Sequence, residues 1–160
     1  MCIRDSYTID KLIEIASKAF ELGIKCVALF PRTPTNLKTQ NCEESYNPEN
    51  LVNKATRLLK KKIPDLGIML DVALDPYNSL GHDGLVKDDK ILNDETLEIL
   101  IKQSLVQAES GADILGPSDM MDGRVKLIRE NLEKNNFKNT LILSYSAKFS
   151  SGFYGPFRAA

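Results

Sequence analysis

One lysine at the end of an apolar run is the residue best placed to do chemistry in this sequence. Lys148 follows the apolar residues 141–143, and four aromatic residues and Arg158 come after it within ten positions. A lysine at the exit of a buried strand can attack a carbonyl carbon once its neutral amine forms, and burial or a neighbouring cation favours that form. Because an arginine can hold a carboxylate, the segment predicts a keto-acid substrate bound as an imine. The alternative is a solvated lysine that only closes the strand end.

A second candidate region, residues 71–84, is rich in carboxylates. Asp71 lies inside an apolar run, and Asp75 and Asp83 follow in a loop with His82, the single histidine of the chain. Carboxylate oxygens suit a hard cation such as Mg²⁺, and the absence of cysteine from this region excludes a thiolate zinc site. The alternative for Asp75 and Asp83 is a turn role, and His82 is better explained as a structural residue. Asp71 differs, because a carboxylate inside a buried strand needs a partner or a function.

A third candidate region, residues 116–124, follows another short apolar run and is also polar. Ser118 or Asp119 is expected to cap the next helix, and Ser118 can alternatively donate a hydrogen bond to a substrate. Asp122 and Arg124 are expected to form a structural ion pair in a turn. The region therefore offers a substrate-binding hydroxyl beside residues with structural roles.

Periodicity in the sequence predicts the elements that position these residues. Helical periodicity covers residues 8–22, 48–62, 94–110 and 125–134, and runs typical of buried strands cover residues 24–30, 67–74, 112–116 and 140–144. Gly23 and Gly111 are expected to end the helices that precede them. We expect residues 75–93 to form a loop, with Asn93 as the cap of the helix that follows. The alternation predicts an α/β fold: a partial (β/α)8 TIM barrel of about four parallel strands covered by helices. The candidate site lies at the carboxyl ends of the strands.

The bulk composition fits one domain and excludes several functional classes. The chain has 160 residues, 42% of them hydrophobic and 27% charged, and a formal net charge of −1. With this balance of charges the chain has no strong positive electrostatic field that would attract nucleic acid. No apolar run is long enough to span a membrane. The three cysteines, Cys2, Cys26 and Cys42, have neither disulfide-framework nor zinc spacing, which fits a reducing compartment. Cys26 is expected to be a buried thiol in a strand.

Three phrases, residues 71–84, 117–124 and 144–158, resemble in this order the porphobilinogen synthase family, also called 5-aminolevulinate dehydratase. Residues 1–6 resemble nothing in the family and are expected to be an unrelated leader or artefact. Residues 7–160 are expected to be the central part of one TIM-barrel domain, truncated at both ends. The resemblance implies a lyase that condenses two 5-aminolevulinate molecules to porphobilinogen through lysine Schiff bases. It also implies a homo-octamer or hexamer of the full-length protein, in the cytoplasm or in the plastid of a photosynthetic eukaryote.

The resemblance also implies roles for single residues. Lys148 falls on one of the family's two Schiff-base lysines, and substrate-binding roles fall on Arg158, Tyr154, Phe157, Ser118 and Asp71. Family members with catalytic zinc carry three cysteines where this chain has Ala73, Asp75 and Asp83. The resemblance therefore implies the zinc-independent type, which uses no organic cofactor and is stimulated by Mg²⁺ or K⁺.

The second Schiff-base lysine of the family is expected beyond Ala160, so the chain by itself is expected to be inactive in turnover. Two other functions are compatible with the residues. One is a barrel aldolase that uses a single Schiff-base lysine, which would account for Lys148 and Arg158 but not for residues 71–84. The other is a non-catalytic half-barrel.

Overall fold

The computed structural model describes residues 6–148, in which helices and strands alternate along the chain. In order, the elements are α1 (Ile9–Glu21), β1 (Cys26–Leu29), α2 (Leu51–Lys62), β2 (Gly67–Val72), β3 (Val86–Lys87), β4 (Lys90–Ile91), α3 (Asn93–Glu109), β5 (Ile114–Pro117), α4 (Arg124–Lys134) and β6 (Leu141–Ile142). Two short 3-10 turns, Thr35–Leu37 and Glu43–Tyr46, lie between β1 and α2. In this part of the chain no helix has the length and apolar character to cross a membrane.

Four strands form one sheet, in the order β1-β2-β5-β6, and each neighbouring pair is parallel. Asp71 of β2 lies opposite Gly116 of β5, and Ile114 of β5 lies opposite Leu141 of β6. Within residues 6–148 the sheet does not close on itself. The prediction of about four parallel strands with covering helices, arranged as part of a barrel, is confirmed.

The two faces of the sheet have different environments. On β2, Ile68, Leu70 and Val72 are fully buried and belong to the same apolar core as Leu59 of α2 and Leu100 of α3. Burying a leucine or isoleucine side chain contributes about 2 kcal/mol, so this helix-covered face stabilises the fold. The residues that alternate with these three, Asp71 among them, project from the opposite face. We call that opposite face the inner face.

The inner face is only partly covered in the described structure. By register and alternation it also carries Phe30, Leu141 and Leu143, whose exposed fractions are 56%, 61% and 58%. Cys26 projects from the same face of β1 and is exposed, so the prediction of a buried thiol there is wrong. The reason is that Cys26 alternates away from the helices.

Residues at the helix ends explain the bounds of the helices. Gly23 and Gly111 follow α1 and α3 with φ of +94° and +100°, a left-handed conformation that ends a helix with little strain in glycine, as the sequence predicted. Helix α2 begins at Leu51 rather than at residue 48. Its cap is Asn50, which is buried and whose side chain accepts a hydrogen bond of 2.9 Å from the Asn53 N–H.

Two predicted helix caps are wrong. Asn93 is the first residue of α3 rather than its cap, and its side-chain oxygen accepts a hydrogen bond of 2.9 Å from the Asp122 N–H. Helix α4 begins at Arg124 after Gly123, so neither Ser118 nor Asp119 caps it. These polar side chains connect the loops at the carboxyl end of the sheet instead.

The loop predicted for residues 75–93 contains an unpredicted hairpin. Strands β3 and β4 pair antiparallel, with Val86 opposite Ile91 and Lys87 opposite Lys90. Asp88 and Asp89 form the turn with φ of +49° and +58°. The hairpin stands immediately after the carboxylates of the second candidate region.

Candidate active site

Asp71 and Ser118 meet at the carboxyl ends of β2 and β5. Ser118 Oγ donates a hydrogen bond of 2.7 Å to Asp71 Oδ1. The register explains the contact, because Asp71 lies opposite Gly116 and Ser118 is two residues further along the same face. A side chain at position 116 would clash with the Met69 Cε on the neighbouring strand. Glycine at this position therefore leaves room for the flexible end of the Met69 side chain on the inner face.

The Asp71 carboxyl group is in an environment that favours its neutral form. Burial raises its pKa to about 7. The hydrogen bond from Ser118 and the charge of Lys148 lower the pKa, but their effect is smaller than that of burial. The charges of Asp75 and Asp83 raise the pKa further. A carboxyl group with a pKa near neutrality can both accept and donate a proton at physiological pH, which suits general acid–base catalysis.

Two glutamines of α3 fix the end of β2 from the core side. Gln107 Nε2 donates a hydrogen bond of 2.9 Å to the main-chain oxygen of Asp71. Gln103 Nε2 donates one of 3.1 Å to the main-chain oxygen of Ala73. Both glutamines are almost fully buried. They satisfy main-chain oxygens at the carboxyl end of β2, and they thereby hold the backbone at Asp71 in place.

Lys148 is joined to the loop after β2 by an ion pair. Its Nζ lies 2.9 Å from Asp83 Oδ2, and the two side chains are 20% and 24% exposed. The contact brings together residues that are 65 positions apart in the sequence. The candidate imine-forming lysine and the carboxylate region of the sequence therefore belong to one site.

Asp75 lies beside this ion pair. Its pKa is raised to about 6, first by desolvation and then by the charge of Asp83 and a hydrogen bond with it, while the charge of Lys148 lowers it. Asp75 is an exposed residue by its accessible surface, so water screens much of this effect.

A partly buried arginine connects the loop after β5 with the segment that leads to Lys148. Arg124 Nε lies 3.5 Å from Asp119 Oδ2, and the two side chains are 13% and 0% exposed. Arg124 also donates hydrogen bonds to the main-chain oxygens of Met121, at 3.0 Å, and Tyr145, at 2.8 Å. The predicted ion pair between Asp122 and Arg124 is therefore wrong, since the arginine pairs with Asp119 instead.

Tyr145 is a site residue that the sequence reasoning did not single out. Its pKa is raised by burial and by the charge of Asp71, and lowered by Lys148, so its hydroxyl group lies within electrostatic reach of both. It comes three residues before Lys148. The signal that could have indicated this position is the preceding strand, because the alternation of β6, continued past its end, carries residues 141, 143 and 145 to the inner face.

His82 has a structural role, as predicted. Its Nδ1 accepts a hydrogen bond of 2.9 Å from the Gly84 N–H, which holds the turn next to Asp83.

The carboxylate cluster shows no set of three metal ligands in the part of the chain that the structure describes. No group of three or more His, Cys, Asp or Glu side chains among residues 6–148 is arranged to hold a metal ion. Ala73, at the first of the positions where zinc-binding members carry cysteine, offers no ligand atom and is buried. Asp83, at another, is already neutralised by the Lys148 ammonium. Stimulation by Mg²⁺ or K⁺ therefore stays a prediction of the resemblance.

Three of the predicted substrate-binding residues, Tyr154, Phe157 and Arg158, lie outside the described residues. The other three predicted site residues, Asp71, Ser118 and Lys148, converge at the carboxyl edge of the sheet. Asp75 and Asp83 lie with them. Such an edge is where parallel α/β folds place their active sites.

Known proteins resemble this chain closely. A curated Delta-aminolevulinic acid dehydratase from Bradyrhizobium diazoefficiens is 51% identical over 153 residues, which cover 96% of this chain and 43% of that protein. The chloroplastic Delta-aminolevulinic acid dehydratase of Pisum sativum is 53% identical over 150 residues, which cover 93% of this chain and 38% of that protein. The chain thus spans about two fifths of the length of these relatives.

A solved structure supports the same relationship. The Delta-aminolevulinic acid dehydratase (porphobilinogen synthase) of Toxoplasma gondii, crystallised with its reaction product porphobilinogen, matches with a TM-score of 0.91 and 48% identity. The match covers 94% of this chain and 43% of that one. The sequence model of the family described as Delta-aminolevulinic acid dehydratase matches residues 1–160. The chain therefore belongs to the delta-aminolevulinic acid dehydratase family.

Proposed function

We propose that the protein carrying this chain is a porphobilinogen synthase, a lyase that condenses two molecules of 5-aminolevulinate and releases two molecules of water. The observation that carries the proposal is the position of the Lys148 amine. It is held by Asp83 at the carboxyl edge of the sheet, in the same site as the Asp71–Ser118 pair. Membership of the family supports the same reaction.

In the proposed mechanism, Lys148 attacks the ketone carbon of one substrate molecule and forms an imine. The imine withdraws electrons and so acidifies the neighbouring C–H bonds for the condensation. Asp71, with a pKa of about 7, is suited to accept or return a proton. Ser118 holds that carboxyl group in one orientation through its 2.7 Å hydrogen bond.

Substrate orientation is assigned to the segment after Lys148. Arg158 is proposed to bind the substrate carboxylate, with Tyr154 and Phe157 lining the same side. The support is the family resemblance together with the chemistry of the guanidinium group, which binds carboxylates in a bidentate manner. Fixing the carboxylate would position the ketone next to the amine, an orientation effect.

The residues near Lys148 support a proposal about the cofactor requirement. We propose that imine formation here needs neither zinc nor an organic cofactor, because Asp75 and Asp83 replace two zinc-ligand cysteines and Ala73 replaces the third. Mg²⁺ or K⁺ and a homo-octamer or hexamer of the full-length protein stay predictions of the resemblance.

Borohydride trapping tests the proposal. The protein is incubated with 5-aminolevulinate and sodium borohydride, and the modified residue is located by peptide mass spectrometry. We expect a reduced imine on Lys148, none in Lys148→Met, and normal trapping in Lys138→Met, in which an exposed lysine ahead of β6 is replaced. A folded protein that carries no adduct on Lys148 would refute the assignment of Lys148 as the imine-forming residue. Trapping of a phosphorylated or hydroxy-keto substrate, with none of 5-aminolevulinate, would favour an aldolase.

A further inference from the structure

We propose that helix α3 fixes the position of the site loop, residues 73–85, and that Thr96 and Gln107 are its main positioning residues. The site loop runs from the end of β2 to β3 and carries Asp83, which contacts the Lys148 amine. The inference rests on the proposed function of Lys148 as the imine-forming lysine. It adds which residues outside the site determine where that amine lies.

The face of α3 that contacts β2 and the site loop is mostly polar. Along it, four almost fully buried residues follow one another at the three- and four-residue spacing of one helix side: Thr96, Leu100, Gln103 and Gln107. Only Leu100 is apolar. A buried polar side chain costs stability unless it is hydrogen-bonded, so this face is better suited to holding polar backbone groups than to apolar packing.

The two glutamines hold the beginning of the site loop. Gln107 Nε2 donates a hydrogen bond of 2.9 Å to the main-chain oxygen of Asp71, and Gln103 Nε2 donates one of 3.1 Å to that of Ala73. Among residues 6–148 no donor reaches the amide oxygen of Gln107, which leaves a buried polar atom unsatisfied at a cost in stability. The contact with Asp71 is therefore the favourable interaction that glutamine provides at position 107.

Thr96 holds the end of the site loop. Its Oγ1 accepts a hydrogen bond of 2.9 Å from the Leu85 N–H and donates one of 2.6 Å to the main-chain oxygen of Leu92. The Leu92 N–H in turn donates a hydrogen bond of 2.9 Å to the main-chain oxygen of Leu85. A Cβ atom at position 84 would lie 3.2 Å from Thr96 Oγ1, so glycine there lets the loop approach the helix closely. The hydroxyl group thus joins the first turn of α3 to the last residue of the site loop.

The end of the loop that Thr96 holds is also the end that reaches Lys148. Asp83 lies two positions before Leu85, and its carboxylate oxygen is 2.9 Å from the Lys148 Nζ. A shift of Leu85 would therefore move Asp83, and the lysine amine with it. Because a misplacement of about 1 Å can slow an enzymatic step about a hundredfold, the hold of α3 on the loop matters for imine formation.

Replacing Thr96 with valine tests the inference, because valine has the same shape but no hydroxyl group. In the full-length protein that carries this chain, we expect borohydride trapping of 5-aminolevulinate on Lys148 to slow about tenfold, even at saturating substrate. Hydrogen exchange followed by mass spectrometry should show the Leu85 N–H exchanging about five- to tenfold faster, the factor that one hydrogen bond contributes. Thr96→Ser keeps the hydroxyl group and should restore both values.

Thr56→Val is the matched control. Thr56 is a fully buried threonine of α2 whose Oγ1 donates a hydrogen bond of 2.8 Å to the main-chain oxygen of Val52 in the same helix. This variant undergoes the same chemical change away from the site loop, so it should trap at the normal rate even if it loses as much stability as Thr96→Val. Gln107→Leu is the second probe, and its trapping should be about three- to tenfold slower because the Asp71 main-chain oxygen loses its donor.

Each outcome decides the inference. A folded Thr96→Val protein that traps at the normal rate would overturn it, as would an equal loss in Thr56→Val or a failure of Thr96→Ser to restore the rate. If Thr96→Val does not fold, Gln107→Leu decides, and a normal trapping rate in that variant overturns the inference. An unaltered protein that gives no adduct refutes the imine-forming role of Lys148 instead, and exchange of the Leu85 N–H then still shows whether Thr96 holds the loop.

Discussion

Replacing Asp71 with asparagine should stabilise the protein at alkaline pH. The ionised Asp71 carboxylate is partly buried on the inner face beside Asp75. Among the described residues, the one direct hydrogen bond to this carboxylate is donated by Ser118. Asparagine has almost the same shape, carries no charge and can still accept that hydrogen bond. The substitution therefore removes the desolvated charge and leaves the packing unchanged.

The magnitude follows from the pKa. A carboxyl group whose pKa rises from 3.8 when exposed to about 7 in the fold destabilises the folded state by about 4 kcal/mol once it is ionised. Hydrogen bonds to a charged acceptor are stronger than those to an amide oxygen by about 1 kcal/mol. We therefore expect Asp71→Asn to raise the free energy of unfolding by about 2–3 kcal/mol at pH 9.

The pH dependence has a definite sign. Between pH 3.8 and about 7 the folded state keeps the Asp71 proton, while the unfolded state has lost it. Stability of the unaltered protein therefore falls as the pH rises through this window and levels off above it. Asp75, with its pKa raised to about 6, adds a smaller fall in the same direction. Asp71→Asn should remove most of the decline, and the two proteins should be about equally stable near pH 4.

Urea denaturation at several pH values, followed by circular dichroism, measures this prediction. Asp65→Asn is the matched control, because it removes an exposed aspartate in the turn ahead of β2 and should leave the decline intact. The reasoning is refuted if Asp71→Asn is no more stable than the unaltered protein at pH 9, or if both lose the same stability between pH 4 and pH 8. A gain in stability accompanied by slower imine trapping would show the trade-off typical of site residues.

Two further substitutions test the supporting structure. Arg124→Met should destabilise the protein by about 3–5 kcal/mol, since it leaves the buried Asp119 carboxylate without its cation and removes two hydrogen bonds to main-chain oxygens. The double variant Arg124→Met with Asp119→Asn should recover part of the lost stability. A loss below about 1 kcal/mol for Arg124→Met in urea denaturation would contradict the prediction. Asp89→Gly should stabilise by about 0.5–1 kcal/mol, because glycine adopts the positive φ of this hairpin turn without strain. A lower melting temperature in this variant would count against the description of the turn.

The main elements were predictable because their signals are local. Apolar runs indicated the four parallel strands, and Gly23 and Gly111 marked the ends of two helices. The position of Asp71 and Ser118 at one edge of the sheet also followed, since parallel strands end on the same side. Their direct hydrogen bond did not follow, because it depends on the register that places Asp71 opposite Gly116.

What the sequence could not predict depends on tertiary contacts. Strands β3 and β4 have two residues each, too few to show a period, and Asp88 and Asp89 are less typical of such a turn than Asn-Gly. Proximity in the sequence favoured Asp122 as the partner of Arg124, whereas the fold brings Asp119 there. Asp83 and Lys148 were each recognised as candidates, but their contact depends on the path of the chain between them.

The hydrogen bond from Arg124 to Tyr145 ends on a main-chain oxygen, which every amino acid supplies equally. The path of the backbone toward Lys148 is therefore independent of which side chain occupies position 145. Evolution can vary that side chain, and with it the chemistry and shape of the pocket wall, without moving the amine. Arg124 has no such freedom, because lysine cannot reproduce the fork that spans Asp119 and the carbonyl group. The position of the Lys148 amine thus depends on Arg124, whereas the shape of the pocket wall depends on the side chain at position 145. The two properties can therefore change at different rates in evolution.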